Sequence, residues 1–182
     1  IEDDYANMLI KSLKQEKNLN IVWDAGNGSA GNVMRKIAHH VKGETILLYD
    51  DIDGDFPNHH PDPSDPNTLK DLIKSVKQNN MDLGIAFDGD GDRIGVVDNE
   101  GNIIPGDLLL LLLGIDVLKK NEGACIIGDV KCSQVLFDEI EKNGGRAIMS
   151  KTGHSLIKDC MKKESADLAG EMSGHIFFAD DY

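Results

Sequence analysis

The chain has 182 residues, of which 40% are hydrophobic, enough for one sizeable core or two small ones. Its 32 acidic against 19 basic residues give a formal net charge of -13, which repels a nucleic-acid backbone and an anionic membrane surface; neither is an expected partner. Cys125, Cys132 and Cys160 lack C-x-x-C spacing, the apolar run Leu108 to Ile115 is far below the ~18 residues of a membrane span, and no signal pattern opens the chain, so a soluble cytoplasmic protein is expected.

Apolar residues at Tyr5, Met8, Leu9 and Leu13 have helical spacing, ended by Asn18 to Asn20. Ile21 to Trp23 reads as a strand ending at Asp24, followed by the turn Gly26 to Gly31 and a helix from Val33 to Val41. Thr45 to Tyr49 is a second strand, and Asp50 to Pro66, with Pro57, Pro61, Pro63 and Pro66, is an irregular excursion of the length typical of binding loops. A helix over Thr68 to Gln78, a strand over Leu83 to Phe87 and another over Ile94 to Asp98 complete the first unit, which the turn Asn99 to Asn102 closes.

The second unit repeats the alternation. It has a helix over Asp107 to Lys119, a strand over Ala124 to Ile127, a helix over Ser133 to Lys142, a strand over Arg146 to Met149 and a helix over Ser155 to Lys163, with Ser133 and Ser155 as N-caps. Leu168-Ala169 and Ile176 to Ala179 are further strands, after which the unit looks truncated. The expected fold is α/β: two consecutive domains, residues 1–102 and 103–182, each a mixed, mostly parallel sheet flanked by helices.

Asp88-Gly89-Asp90-Gly91-Asp92-Arg93 follows a strand and places carboxylates at i, i+2 and i+4 between glycines, which permit backbone angles that turn the oxygens inward. Three crowded negative charges call for a cation. Hard oxygen ligands in an incomplete shell point to Mg²⁺, with Asp88, Asp90 and Asp92 as ligands. An EF-hand calcium loop would need Gly at Arg93, Glu at Asn99 and a helix in front. Arg93 either presents its planar fork to a phosphate or pairs with a neighbouring Asp.

Gly26-Asn27-Gly28-Ser29-Ala30-Gly31 satisfies G-x-G-x-x-G after a strand, but Glu44 and Asp50 are poorly registered for a ribose-binding acid; it is read as a tight structural turn rather than a dinucleotide site. In Gly170-Glu171-Met172-Ser173-Gly174-His175 a carboxylate, a hydroxyl and an imidazole share a flexible loop, a set suited to holding sugar hydroxyls and moving a proton. His154 precedes a helix whose N-terminus favours anions and is either a phosphate neighbour or a surface histidine; Lys131 is similarly open. His59-His60 and His39-His40 read as structural.

Taken in order, Asp24 to Gly28, Phe56 to Pro63, Asp88 to Arg93, Asp129 to Cys132, Lys151 to His154 and Gly170 to His175 resemble the α-D-phosphohexomutase superfamily, most closely its bacterial phosphomannomutase/phosphoglucomutase members. The resemblance implies a four-domain enzyme of which this chain is the second domain and most of the third. A phosphoserine of the first domain passes its phosphoryl group to a hexose phosphate, and the glucose 1,6-bisphosphate or mannose 1,6-bisphosphate intermediate reorients and returns the other phosphate. It further implies Mg²⁺ on Asp88, Asp90 and Asp92, with Arg93 at the reacting phosphoryl group. Glu171 and Ser173 would lie on ring hydroxyls, and Lys131, His154 and His175 at a phosphate or at proton transfer.

The phosphoserine loop of Ser-His-Asn-Pro type and the fourth domain's phosphate clamp do not occur in the sequence. The isolated chain is therefore expected to have negligible mutase turnover and at most weak Mg²⁺ affinity. Phosphoglucosamine mutase of the same superfamily and a non-catalytic divalent-metal module are the alternatives; Met172, between Glu171 and Ser173, favours glucose and mannose phosphates.

Overall fold

The computed structural model describes residues 2–179, which divide between Ile104 and Pro105 into two compact units. The first contains α1 (Glu2–Ser12), β1 (Ile21–Asp24), α2 (Gly31–Ala38), β2 (Thr45–Leu48), α3 (Lys70–Gln78), β3 (Leu83–Phe87), β4 (Ile94–Asp98) and β5 (Ile103–Ile104). Its sheet runs β2-β1-β3-β4-β5. β1 is parallel to both neighbours, while β3–β4 and β4–β5 are antiparallel.

The second unit contains α4 (Gly106–Lys120), β6 (Cys125–Asp129), α5 (Gln134–Lys142), β7 (Arg146–Ser150), α6 (His154–Glu164), β8 (Leu168–Gly170) and β9 (Ile176–Phe178). Its sheet runs β7-β6-β8-β9, with β6 parallel to both neighbours and β9 antiparallel to β8. The central order is the same in both units: the first strand lies between the next two, and a fourth returns antiparallel. In open α/β sheets that arrangement gathers the loops at the carboxyl ends of the parallel strands, where ligands bind.

β6 is buried along its whole length because helices cover both faces. Ile126 packs with Leu110 and Leu118 of α4 and Leu136, Phe137 and Ile140 of α5, whereas Cys125 and Ile127 pack with Ile157 of α6. The period of two along a strand sends alternate residues into the two cores. In the first unit Val22, Ala86 and Val97 of the sheet meet Leu72 and Val76 of α3.

Three local expectations change. The sequence reading divides the chain at 102, but Ile103 pairs with Val97 and Ile104 with Val96, so both residues belong to the first sheet. Ser155 is not an N-cap: α6 already starts at His154, and Gly153 holds the cap position at φ +130°, a region open to glycine. Ser133 does occupy the cap of α5, yet its side chain makes no capping bond; its backbone N–H donates to Asp107 Oδ2 at 2.8 Å instead. Residues 49–69 contain no helix or strand, in keeping with their prolines. Among the described residues no helix is long and apolar enough to cross a membrane.

Candidate functional site

The acidic loop hangs from the carboxyl end of β3 and returns into β4. Asp88 is 3% exposed and Arg93 closes the loop onto it, its backbone N–H donating to Oδ1 at 3.0 Å and its Nε to Oδ2 at 2.8 Å. The Asp88 N–H also reaches the Arg93 carbonyl, and Gly91 turns the tip at φ +77°. Carboxylate oxygens of Asp88, Asp90 and Asp92 all lie within 4.8 Å of one another. Burial alone would lift the Asp88 carboxyl, but the Arg93 backbone and guanidinium outweigh it and hold it below its ordinary value. Asp90, exposed, is held above its own by its hydrogen bond with Asp88 and by the charges of Asp88 and Asp92. This donor set fits a hard divalent cation, which satisfies three converging oxygens and relieves their repulsion.

Arg93 is shared. Its Nη1 donates to Asp62 Oδ1 at 2.9 Å, so the proline-rich excursion is tied to the acidic loop through one guanidinium. Of the two sequence readings of Arg93, the ion pair is therefore present, made with two carboxylates. Other bonds fasten the same excursion below the loop. Asn58 Nδ2 donates to Asn27 Oδ1 at 2.7 Å, and His59 Nε2 lies 3.1 Å from Asp24 Oδ2. Asp24 is fully buried at the end of β1 and also accepts the Gly26 N–H. His59 is raised above its usual value chiefly by Asp24, against the opposing effect of burial and with help from the His60 carbonyl. Tyr49 stands edge-on to His59 and donates its hydroxyl to Asp71, a bond that pushes its pKa up to about 12.

The glycine-rich turn serves the acidic loop. Ser29 N–H donates to the Gly89 carbonyl at 2.9 Å, and a Cβ on Gly28 would stand 2.8 Å from that oxygen and 3.0 Å from the Asp88 carbonyl. Gly26 and Asn27 take left-handed conformations to make this approach. The Ser29 N–H of this turn is thus already spent on protein backbone, which supports a structural turn over an anion site.

In the second unit three loops meet at the carboxyl ends of β6, β7 and β8. Glu171 is 2% exposed, its Oε1 accepting the Gly153 N–H at 2.6 Å and its Oε2 lying 2.6 Å from His175 Nδ1. Ser173 Oγ lies 2.9 Å from the same nitrogen. The anion at the start of α6 is consequently the chain's own Glu171, well placed for the positive end of the helix dipole. The His154 and His175 rings meet edge to face with centroids 4.1 Å apart, and Phe177 packs on both. Lys131 is exposed in the loop after β6, its N–H donating to Asp129 Oδ1 at 3.2 Å. The structure therefore brings Glu171, Ser173, His154 and His175 together.

Sequence reasoning placed Asp129 in the Asp129 to Cys132 motif but gave it no role. Its carboxylate is completely buried and accepts from the Lys131 N–H, Cys132 Sγ, Thr152 Oγ1 and Met172 N–H, touching all three loops. Burial and the bond to Asp129 push the Cys132 thiol up to about 12. An aspartate closing a run of buried strand residues was the available signal, since a carboxylate there must find partners.

Residues 3–101 match phosphoglucomutase/phosphomannomutase, alpha/beta/alpha domain II, and residues 105–182 match domain III of the same family. A phosphomannomutase/phosphoglucomutase of Pseudomonas syringae pv. tomato is 52% identical over 180 residues, covering 99% of this chain and 39% of that protein. A phosphoglucomutase of Neisseria meningitidis serogroup A is 49% identical over the same share of each. The crystal structure of a phosphoglucomutase/phosphomannomutase family protein from Burkholderia thailandensis superposes with a TM-score of 0.94 at 46% identity, covering 100% of this chain and 40% of that one. The chain spans about two fifths of the length of these relatives. With its two units matched in order to two consecutive domains, the chain belongs to the phosphoglucomutase/phosphomannomutase family.

Proposed function

We propose that the chain is the central portion of a mutase that interconverts the 1- and 6-phosphates of glucose and mannose through a phosphoserine and a hexose 1,6-bisphosphate. The observation that carries this reading is the convergence of Asp88, Asp90 and Asp92 within 4.8 Å at the carboxyl end of a parallel strand. Mg²⁺ held there supplies Lewis-acid polarisation of a phosphoryl oxygen and a template for its transfer. Arg93 orients Asp88 and keeps its carboxylate available at low pH.

In the second unit Ser173 and Glu171 bind sugar hydroxyls through the lone pairs that their internal bonds leave over. His175, held by Glu171 through Nδ1, is the group that moves a proton. Lys131 contributes positive charge to the non-reacting phosphate, and His154 contacts it. A phosphoserine domain before this segment and a phosphate-binding domain after it complete the enzyme, with hexose 1,6-bisphosphate as activator. The free thiols of Cys125, Cys132 and Cys160 support a cytoplasmic setting.

The test is a coupled assay with glucose 1-phosphate, mannose 1-phosphate and glucosamine 1-phosphate, on the isolated chain and on the intact protein. Mg²⁺-dependent turnover of the first two by the intact protein, with negligible turnover by the isolated chain, is the expected result. Preference for the amino sugar would move the assignment to phosphoglucosamine mutase, and no turnover of any of them would leave only metal binding.

A further inference from the structure

The position of β6 in its sheet gives Asp129 an unusual reach. β6 lies between β7 and β8, and the register sets Asp129 opposite Ser150 and Gly128 opposite Gly170. The last residue of β6 is thus level with the points where its neighbours turn into the loops Lys151 to Gly153 and Glu171 to Gly174. A side chain there can touch both loops as well as its own.

Asp129 does so with both oxygens. Oδ2 accepts the Thr152 hydroxyl at 2.8 Å, while Oδ1 lies 3.2 Å from the Lys131 N, 3.2 Å from Cys132 Sγ and 3.3 Å from the Met172 N. Each contact lies within two residues of a side chain of the site. Lys131 bears its own contact, Thr152 is two residues before His154, and Met172 sits between Glu171 and Ser173. The site residues come from three separate loops, and loops are otherwise the least rigid part of a fold.

We propose that Asp129 is the positioning residue of the second unit, fixing Lys131, His154 and the Glu171 to His175 turn in one mutual arrangement for a sugar phosphate. The proposal rests on the mutase reading above. It touches no reacting atom; its effect is on the geometry of groups that do, where misplacement of about 1 Å costs about a hundredfold in rate.

The test is a double-mutant cycle between Asp129 and Thr152 in the intact protein, with glucose 1-phosphate as substrate. Asp129→Asn keeps the volume but puts an amide donor where one acceptor stood, and Thr152→Val removes the hydroxyl while keeping the shape. Each is expected to lower kcat/KM by about tenfold to a hundredfold, and the double variant by little more than Asp129→Asn alone, because the bond is lost only once. Thr152→Ser, which retains the hydroxyl, restores most of the loss.

Multiplicative losses in the double variant, or a Thr152→Ser variant as weak as Thr152→Val, overturn the proposal. Should Asp129→Asn not fold, the comparison of Thr152→Val with Thr152→Ser decides by itself, since both leave the buried carboxylate in place. Absence of turnover in the unsubstituted intact protein would instead overturn the mutase reading, so the two failures are distinct.

Discussion

Glu171 and His175 face each other across the turn between β8 and β9, carboxylate oxygen to Nδ1 at 2.6 Å, with the carboxylate buried. A carboxylate oxygen accepts, so the pair is made with Nδ1 as the donor. Glu171→Gln offers an amide that cannot accept from both Gly153 and His175 with its nitrogen side. In the intact protein kcat is expected to fall by about a hundredfold or more, as for loss of a positioned acid or base. Nitrogen NMR of the His175 ring should at the same time show a tautomer mixture. An unchanged tautomer with unchanged kcat would remove the pair from the mechanism.

The acidic loop separates metal affinity from stability. Asp90 is exposed and bonds only to Asp88 within the same acidic cluster, where its charge is repelled, so Asp90→Asn should weaken Mg²⁺ binding, read by calorimetry on the intact protein, while leaving the melting temperature nearly unchanged. Asp88 is buried and receives two bonds from Arg93. Asp88→Asn should therefore weaken Mg²⁺ and also destabilise the protein by about 1–3 kcal/mol, because a charged donor loses its acceptor. Equal melting temperatures for the two variants would contradict the anchoring role of Asp88.

His59 contributes a pH dependence of definite sign. Its pKa is raised above 6.5 in the fold, mainly by Asp24, so the folded state binds the proton more tightly than the unfolded chain does. The stabilisation is fully present below about pH 6.5 and is lost as pH rises through the folded value. Denaturant melts between about pH 6 and pH 9 should show stability declining across that window, and His59→Gln should flatten the decline. An unchanged slope in the variant would assign the effect to another group.

The alternation of strands and helices was legible because each element carries its period: Leu83–Phe87 and Ile94–Asp98 end at turn residues, and every expected helix is present, with the ends of α1, α2 and α3 shifted by two or three residues. The acidic triplet was legible because its spacing is local. Asp129 was not, since its partners Thr152 and Met172 lie far along the chain and only strand order brings them near. Ser155 misled for a related reason. A serine ahead of a helix is the usual cap, but here the carboxylate of Glu171 binds the Gly153 N–H and the helix begins one residue earlier. The two-residue strand Ile103–Ile104 is too short to leave a periodic signal at all.

Gly28 offers the sharpest steric test of how the turn after β1 serves the acidic loop. The three nearest atoms its missing Cβ would meet are backbone oxygens, of Gly89, Asp88 and Ala25, so no side-chain rotation can relieve them. Gly28→Ala must push the turn and the acidic loop apart, and a loss of about 1–3 kcal/mol in stability is expected from such overpacking. Mg²⁺ affinity should fall with it, as Asp88 moves out of register with Asp90 and Asp92. Gly54, where a Cβ meets nothing within 4 Å, is the control; Gly54→Ala should change stability by less than about 0.5 kcal/mol and leave Mg²⁺ binding alone. If Gly28→Ala behaved like Gly54→Ala, the turn would have no hold on the metal loop. Titration with NAD should give no binding to the unsubstituted chain or to either variant, because the Ser29 N–H of the turn is already donated to the Gly89 carbonyl.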